Sequence, residues 1–466
     1  MKKNSTIPGK RRSKKPALPS GLEHINVDAA GIDIGSEFHV VAVPTDRDPQ
    51  PVRSFRCFTS DLYRMAQWLQ TCGIKTVAME STGVFWIPVF QILESQGFEV
   101  KLVNARHVKN VPGRKTDVQD CQWLQQLHTY GLLKGSFRPT NDICVLRSYL
   151  RQRDNLIRTA ATHVQRMQKA LTEMNLQLHK VISDITGITG SRILQAIFSG
   201  ERDPLVLAKL KHYQIKSPEE DIAKALEGDY RQEHLFVLKQ EWDLYHVYQQ
   251  KILDCDQQIE AHLSTFEDKV NPLEKPLGPS RRTQLRPKDN EPHFDLRTHL
   301  YRITGIDFTQ IQGFQVLTAQ TLVSEIGLDM SRWPNEKHFC SWLGLSPDNR
   351  ITGGKIKKRK TRKVVSRAAV AFRLAAQALS HSQSALGAYH QRMKYRLGAP
   401  KAITATAHKL ARLYYRMMKY GQAYVDEGLE VYEQNYKERM LKNLKKKAKA
   451  LGYELTVSHQ LSASVT

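Results

Sequence analysis

Four acidic residues, widely separated along the chain, have the types that phosphodiester chemistry uses. Asp33 sits in "GIDIG", Glu80 in "VAMESTG", and Asp117 and Asp120 in "RKTDVQDCQWL". Asp33 lies between Ile32 and Ile34 in an apolar, β-rich run, where an ionised carboxylate is costly unless it is paired or binds metal. Asp117 and Asp120 are three apart, which places them on one face of a helix. Asp117 also suits a plain helix cap. Carboxylates brought together repel, so a cluster of four needs protons or hard divalent cations to compensate its charge. Two Mg²⁺ ions about 3.5–4 Å apart would activate an attacking oxygen and stabilise a leaving one at phosphorus. The adjoining Arg114 and Lys115 would then hold substrate phosphates rather than serve the aspartates.

The elements that must position these acids are legible in the pattern. "INVDAAGIDIG", "EFHVVAV" and "VRSFRCF" read as three successive strands. A helix follows from near Ser60, with Leu62, Met65, Trp68 and Leu69 at helical spacing and Gly73 closing it. Strand "KTVAME", helix "WIPVFQILESQG", strand "FEVKLVNA" and the helix carrying Asp117 and Asp120 complete the run. The order β-β-β-α-β-α-β-α predicts an RNase H-like α/β domain over residues 25–145. In that layering the middle of the first strand, the end of the fourth and the last helix converge, and the four carboxylates meet at one point.

Beyond it the pattern turns helical. Ile157, Ala160, Val164, Met167, Leu171, Met174, Leu178 and Val181 alternate three and four apart, the stripe of a coiled coil or long helical hairpin. Its return partner is "HLFVLKQEWDLYHVYQQKILDCDQQIEAHL", so residues 146–265 are expected to form a coiled-coil arm for dimerisation, against the alternative of ordinary buried helices. A Pro- and charge-rich stretch predicts a linker over 266–298. A mostly α-helical domain is expected at 299–425 and a basic helical tail at 426–466. The segment "ITGIDFTQIQGFQVLTAQTLVSEIG" has the form of a helix-hairpin-helix offering backbone N–H groups to phosphate, or of a plain helical pair.

Composition points to a polyanionic partner. The 466 residues hold 70 Lys and Arg against 46 Asp and Glu, a net charge of +24, which favours nucleic acid. Residues 1–24 read as a disordered basic arm without the apolar stretch of a secretory signal. No apolar run approaches the roughly 18 residues of a spanning helix, so no membrane partner is expected. Six scattered cysteines suggest neither a zinc site nor a disulfide framework and fit the cytoplasm.

"GIDIG", "MESTGVFW" and "KTDVQDCQWL", followed by "WLGLSPDN" and "ITGGK", resemble the DEDD recombinases of bridge-RNA-guided insertion sequences, relatives of the pilin-gene invertases. "LGAPKAITATAHKL" is similar to the subgroup with a long central arm. The resemblance runs from about Ile25 to Gly421. It implies a RuvC-like N-terminal domain whose Asp33, Glu80, Asp117 and Asp120 bind Mg²⁺. It also implies a hydroxyl nucleophile in the C-terminal domain that forms a covalent protein–DNA intermediate. The implied partners are donor and target DNA, a structured guide RNA, and further copies of the chain in a homodimer or homotetramer, associated with the nucleoid.

This sequence departs from the family at one point, with Thr352 where the family has serine before the paired glycines. Thr352 is the expected nucleophile, with Ser346 and Ser366 as nearby alternatives, although a threonine before Gly353 and Gly354 also suits a turn. Downstream, Lys355, Lys357, Lys358, Arg359, Lys360, Arg362 and Lys363 are expected on phosphate backbone, or else form a solvated loop. Arg367 and Arg373 would follow on a helix facing DNA, while His408 and Tyr414 are expected in core packing. Rival readings are a metal-dependent nuclease or junction resolvase in which water attacks, and a non-catalytic nucleic-acid-binding protein.

Overall fold

The three β-rich runs pair as antiparallel neighbours, and the next two strands join them in parallel. A computed structural model describes residues 24–81, 83–104, 117–279, 290–362, 364–421 and 429–456. The chain divides into two units, Met1–Arg138 and Pro139–Thr466.

In the first unit the order is β1 (Ala29–Ile34), β2 (Phe38–Ala42), β3 (Val52–Arg56), α1 (Thr59–Thr71), β4 (Thr76–Glu80), α2 (Trp86–Ser95), β5 (Glu99–Val103) and α3 (Asp117–Thr129). The sheet runs β3-β2-β1-β4-β5, with β4 parallel to both β1 and β5. Period-two alternation gives the sheet two apolar faces. Ile32, Ile34, Val41, Val77 and Met79 point to one, where Leu62, Met65 and Leu69 of α1 and Val89 and Leu93 of α2 cover them. On the other, Leu124 of α3 packs on Ala78 and Val103, and Cys121 on Val40 and Ala42. The mixed α/β layering is compatible with the RNase H-like domain expected from sequence.

The second unit opens with α4 (Asn141–Glu173), so residues 141–145 begin a long helix. After four short helices between Leu178 and Ala225 comes α5 (Gln232–Ser264), which packs along α4. The predicted stripe is only partly one helix. Ala160, Met167 and Leu171 are buried, but α4 ends at Glu173 and Asn175 turns left-handed at φ 56°. Leu178 and Val181 therefore belong to the next short helix. The far end closes over a core in which Met167, Leu171 and Trp242 meet Ile193, Leu207 and Ile222 of the short helices.

The seam between α4 and α5 also carries polar pairs, unlike a continuous apolar heptad. Arg153 and Asp256 form an ion pair with side chains 4% and 3% exposed. His163 Nδ1 lies 2.5 Å from Glu241 Oε2 and its ring stacks on Tyr248.

The remainder comprises α6 (Leu296–Thr304), α7 (Val316–Ile326), α8 (Glu336–Trp342), β6 (Pro347–Thr352), β7 (Lys355–Thr361), α9 (Arg367–Ala378), α10 (Ala385–Leu397), α11 (Ala399–Tyr420) and α12 (Leu429–Ala450). Helix α11 is central: it packs on α8, α9 and α10, and its buried Tyr414 stacks on Phe308 and Phe339. Between α6 and α7 the Asp307 carboxylate accepts from Thr309 N at 3.1 Å and pairs with Arg297. An acid thus satisfies this turn from within, which favours the plain helical pair over a phosphate-presenting hairpin. Among the described residues no helix is long and apolar enough to cross a membrane.

Breaking the Arg153–Asp256 pair from one side takes the guanidinium from a buried carboxylate that otherwise accepts from His293 N at 3.2 Å. Arg153→Met is expected to lower stability by about 3–5 kcal/mol, and Arg153→Met/Asp256→Leu to recover much of it. Urea denaturation of the two variants followed by circular dichroism checks the difference; equal losses would contradict it.

Candidate active site

Asp33 and Glu80 lie on neighbouring parallel strands. The paired register ends at Ile32 and Met79, and Asp33 and Glu80 are the residues that follow them on β1 and β4. Ile32 and Met79 face the α1/α2 core, so the residues after them turn to the face covered by α3. Their strand neighbours two positions earlier agree: Ala78 packs on Leu124, and Gly31 lies directly under the α3 backbone. Asp33 is half-buried and Glu80 is 8% exposed.

Helix α3 is held against this face by two contacts. A Cβ on Gly31 would fall 2.3 Å from Gln125 N and 2.4 Å from Cys121 O, so only glycine permits the approach. Near the C-terminal end of α3, the buried His128 places Nε2 2.9 Å from Thr76 Oγ1 on β4. Burial and the Lys101 charge depress the His128 pKa to about 4, which keeps the ring neutral.

Asp120 precedes Cys121 on α3 and is half-buried. Burial pushes the Cys121 thiol up to about 12, with the negative charges of Asp33 and then Asp120 adding to the rise. One thiol thus senses acids from both β1 and α3. Asp117 is the first residue of α3; its side chain, and Arg114 and Lys115 entirely, lie outside the described residues.

The expected meeting of four carboxylates includes Asp117, whose side chain lies outside the described residues; among the described residues no three of His, Cys, Asp and Glu form a group placed to hold a metal ion. The donor set, carboxylate oxygens on adjacent elements, fits a hard divalent cation such as Mg²⁺.

Thr352 ends β6 and pairs with Lys355 across Gly353 and Gly354, which have φ of 56° and 71°. Two left-handed glycines make the tight turn that joins twisted strands. Thr352 and Lys355 are exposed, and neither glycine has a neighbour within 4 Å of a built Cβ, so the hydroxyl is open to approach. Ser346 is half-buried ahead of β6. Ser366 caps α9, accepting from Ala369 N at 3.2 Å.

The basic run is a strand rather than a loop, because two residues of turn suffice to fold "KIKKRKT" back on β6. A register shift between Arg350 and Ile351 leaves an extra residue on β7, between Ile356 and Lys358. Lys357, Lys360 and Arg362 are exposed, and Arg362 also donates to Ser341 Oγ at 3.1 Å. The side chains of Lys358 and Arg359, and Lys363 as a whole, lie outside the described residues. Arg367 is exposed and pairs with Asp154 of α4 at 3.1 Å, and Arg373 is half-buried. His408 is half-buried and Tyr414 wholly buried.

Sequence reading missed Gly31 and His128. The first had a signal, a glycine two residues before an acid on one strand face; the second had none beyond its place in the apolar helix. A transposase family model, of the IS110 DEDD type, matches residues 30–176, and a second, described as transposase of the IS116/IS110/IS902 family, matches residues 307–391. Two separate stretches of the chain are thus similar to transposases of this kind, whose substrate is DNA. No curated protein matches the chain.

Gly31→Ala is expected to displace α3 and destabilise the first unit by at least about 1–3 kcal/mol, whereas Gly278→Ala, which meets nothing within 4 Å, leaves stability unchanged; calorimetric melting of both checks it. His128 supplies a pH dependence. Its folded pKa lies below the unfolded value, so its contribution is whole above about pH 6.5 and is lost as pH falls towards 4, amounting to up to about 3 kcal/mol. His128→Gln should flatten that part of the pH–stability curve measured by urea denaturation.

Proposed function

Starting from a chain with two stretches similar to IS110-type transposases, we propose that the protein is an RNA-guided, site-specific DNA recombinase that cuts and rejoins strands through a protein hydroxyl. The observation that carries the reading is the placement of Asp33 and Glu80, each one residue past the paired Ile32 and Met79, on the face covered by the helix that bears Asp120. Carboxylate oxygens from three elements on one face are the donor type a hard divalent cation takes.

Asp33, Glu80, Asp117 and Asp120 would hold Mg²⁺, which when bound supplies Lewis-acid stabilisation of charge at phosphorus. Thr352 would be the nucleophile. Its Oγ1 forms a bond to the scissile phosphorus, the DNA ester oxygen departs, and the hydroxyl proton ends on that oxygen. One phosphoester replaces another, so the reverse attack by a different DNA hydroxyl rejoins strands without an external energy source. Lys355, directly across the hairpin from Thr352, would hold the phosphate near the hydroxyl, and the exposed cations of β7 would carry the flanking backbone. Guide RNA pairing would choose the sequence, and a homodimer or homotetramer, with α4 and α5 as its arm, would bring donor and target together.

The test is adduct trapping with labelled donor and target DNA, the copurified RNA and Mg²⁺. The wild type is expected to yield a protease-sensitive protein–DNA complex, Thr352→Ala none, Thr352→Ser at least as much, and Asp33→Asn none. An adduct that persists in Thr352→Ala moves the nucleophile to Ser346 or Ser366. Free cut ends with no adduct in the wild type would establish a nuclease instead. Sequencing of the copurified nucleic acid decides guide dependence, which falls if no structured RNA recurs.

A further inference from the structure

Helix α12 lies outside both transposase matches, and the recombination chemistry above makes no use of it. It docks by its first two turns only. Tyr432 is 8% exposed, the Arg392 guanidinium of α10 lies 4.9 Å over its ring and 3.7 Å over that of Tyr436, and Lys409 of α11 lies 5.6 Å over Tyr432. Beyond this anchor every residue from Glu433 to Lys447 is exposed. From Lys437 to Ala450 the helix runs about 21 Å and holds seven cations and one acid, Glu438.

Tyr432, Tyr436, Met440 and Leu444 recur every four residues along the docking side. Lys442, Lys445, Lys446 and Lys449 gather at three- and four-residue steps on the side away from it, Lys437 and Arg439 flank its two edges, and Lys447 falls on the docking side past the anchor. Like charges at these spacings weaken an isolated helix, and a stretch this short has little stability in water by itself. A second copy of the segment would set like charge against like. A polyanion complements it, and the stepped row of cations matches a regularly charged backbone.

We propose that the outward face of α12 is a nucleic-acid clamp, gripping the sugar-phosphate backbone without reading bases while the tyrosine anchor fixes its direction on α10. The clamp holds nucleic acid independently of the acids on β1, β4 and α3, so it goes beyond the catalytic reading and stands or falls separately from it.

The test uses the full chain carrying Lys442→Gln, Lys445→Gln, Lys446→Gln and Lys449→Gln together, substitutions that keep helix propensity. Fluorescence anisotropy is read over a salt series with a random-sequence duplex DNA and with a structured RNA, after circular dichroism has shown unchanged helicity. The slope of log affinity against log salt is expected to become shallower by about 3–4 for a duplex held by all four lysines, with affinity lost equally for unrelated sequences. A change with DNA alone assigns the clamp to donor or target; a change with RNA alone assigns it to the guide; a change with both makes it common to the two. Unchanged slopes for both overturn the proposal. So does a drop in oligomeric mass for Met440→Ser/Leu444→Ser with nucleic-acid affinity intact in the lysine variant, which would make α12 a contact between copies. Strand exchange is not measured, so a lost clamp leaves the recombinase reading standing, and a failed adduct assay leaves the clamp.

Discussion

Backbone-to-backbone contact between α3 and β1 is the constraint on which the acidic face depends. With a hydrogen in place of a side chain at Gly31, the helix settles against the strand at the Cys121 and Gln125 peptides. Its first turn then lies near the ends of β1 and β4, where those strands present Asp33 and Glu80. A helix one methyl group farther out would still cover Ala78 and Val103 but would carry Asp120 away from the sheet. The neutral His128 pins the other end to Thr76, so position and tilt are both fixed by groups that take no part in chemistry.

Asp33 and Asp120 together raise the Cys121 thiol beyond what burial does, so acids from β1 and α3 act on the same point of this face. Cohesion comes from the other face, the α1/α2 core, where Ile32, Met79 and Leu93 are fully buried. A sheet with one face for cohesion and one for charge lets each be arranged without disturbing the other.

Strand order was readable because each run was short, β-branched and bounded by glycine or polar residues, and because apolar periodicity changed from two to 3.6 where α1 begins. The acids were readable because Asp33 interrupts an isoleucine pair. Three features were not. The end of α4 at Glu173 depends on a left-handed Asn175, while the apolar stripe continues past it as though nothing had changed. The β6–β7 hairpin was hidden because lysine and arginine disfavour strands as types, yet two glycines with positive φ make any flanking pair of segments fold back. The salt bridge between Arg367 and Asp154 joins residues 213 positions apart, a distance that no local pattern encodes.

The base of the α4–α5 hairpin is closed by His262, whose Nε2 lies 2.8 Å from the carbonyl oxygen of Asp142, 120 positions earlier. The two ends of the hairpin therefore lie at almost the same place. Whole turns could be added to or removed from both long helices in step, moving the four-helix cap nearer or farther while α6 through α12 keep their packing. Reach, on this plan, is a quantity that insertions and deletions can tune without disturbing the packing of the rest of the second unit.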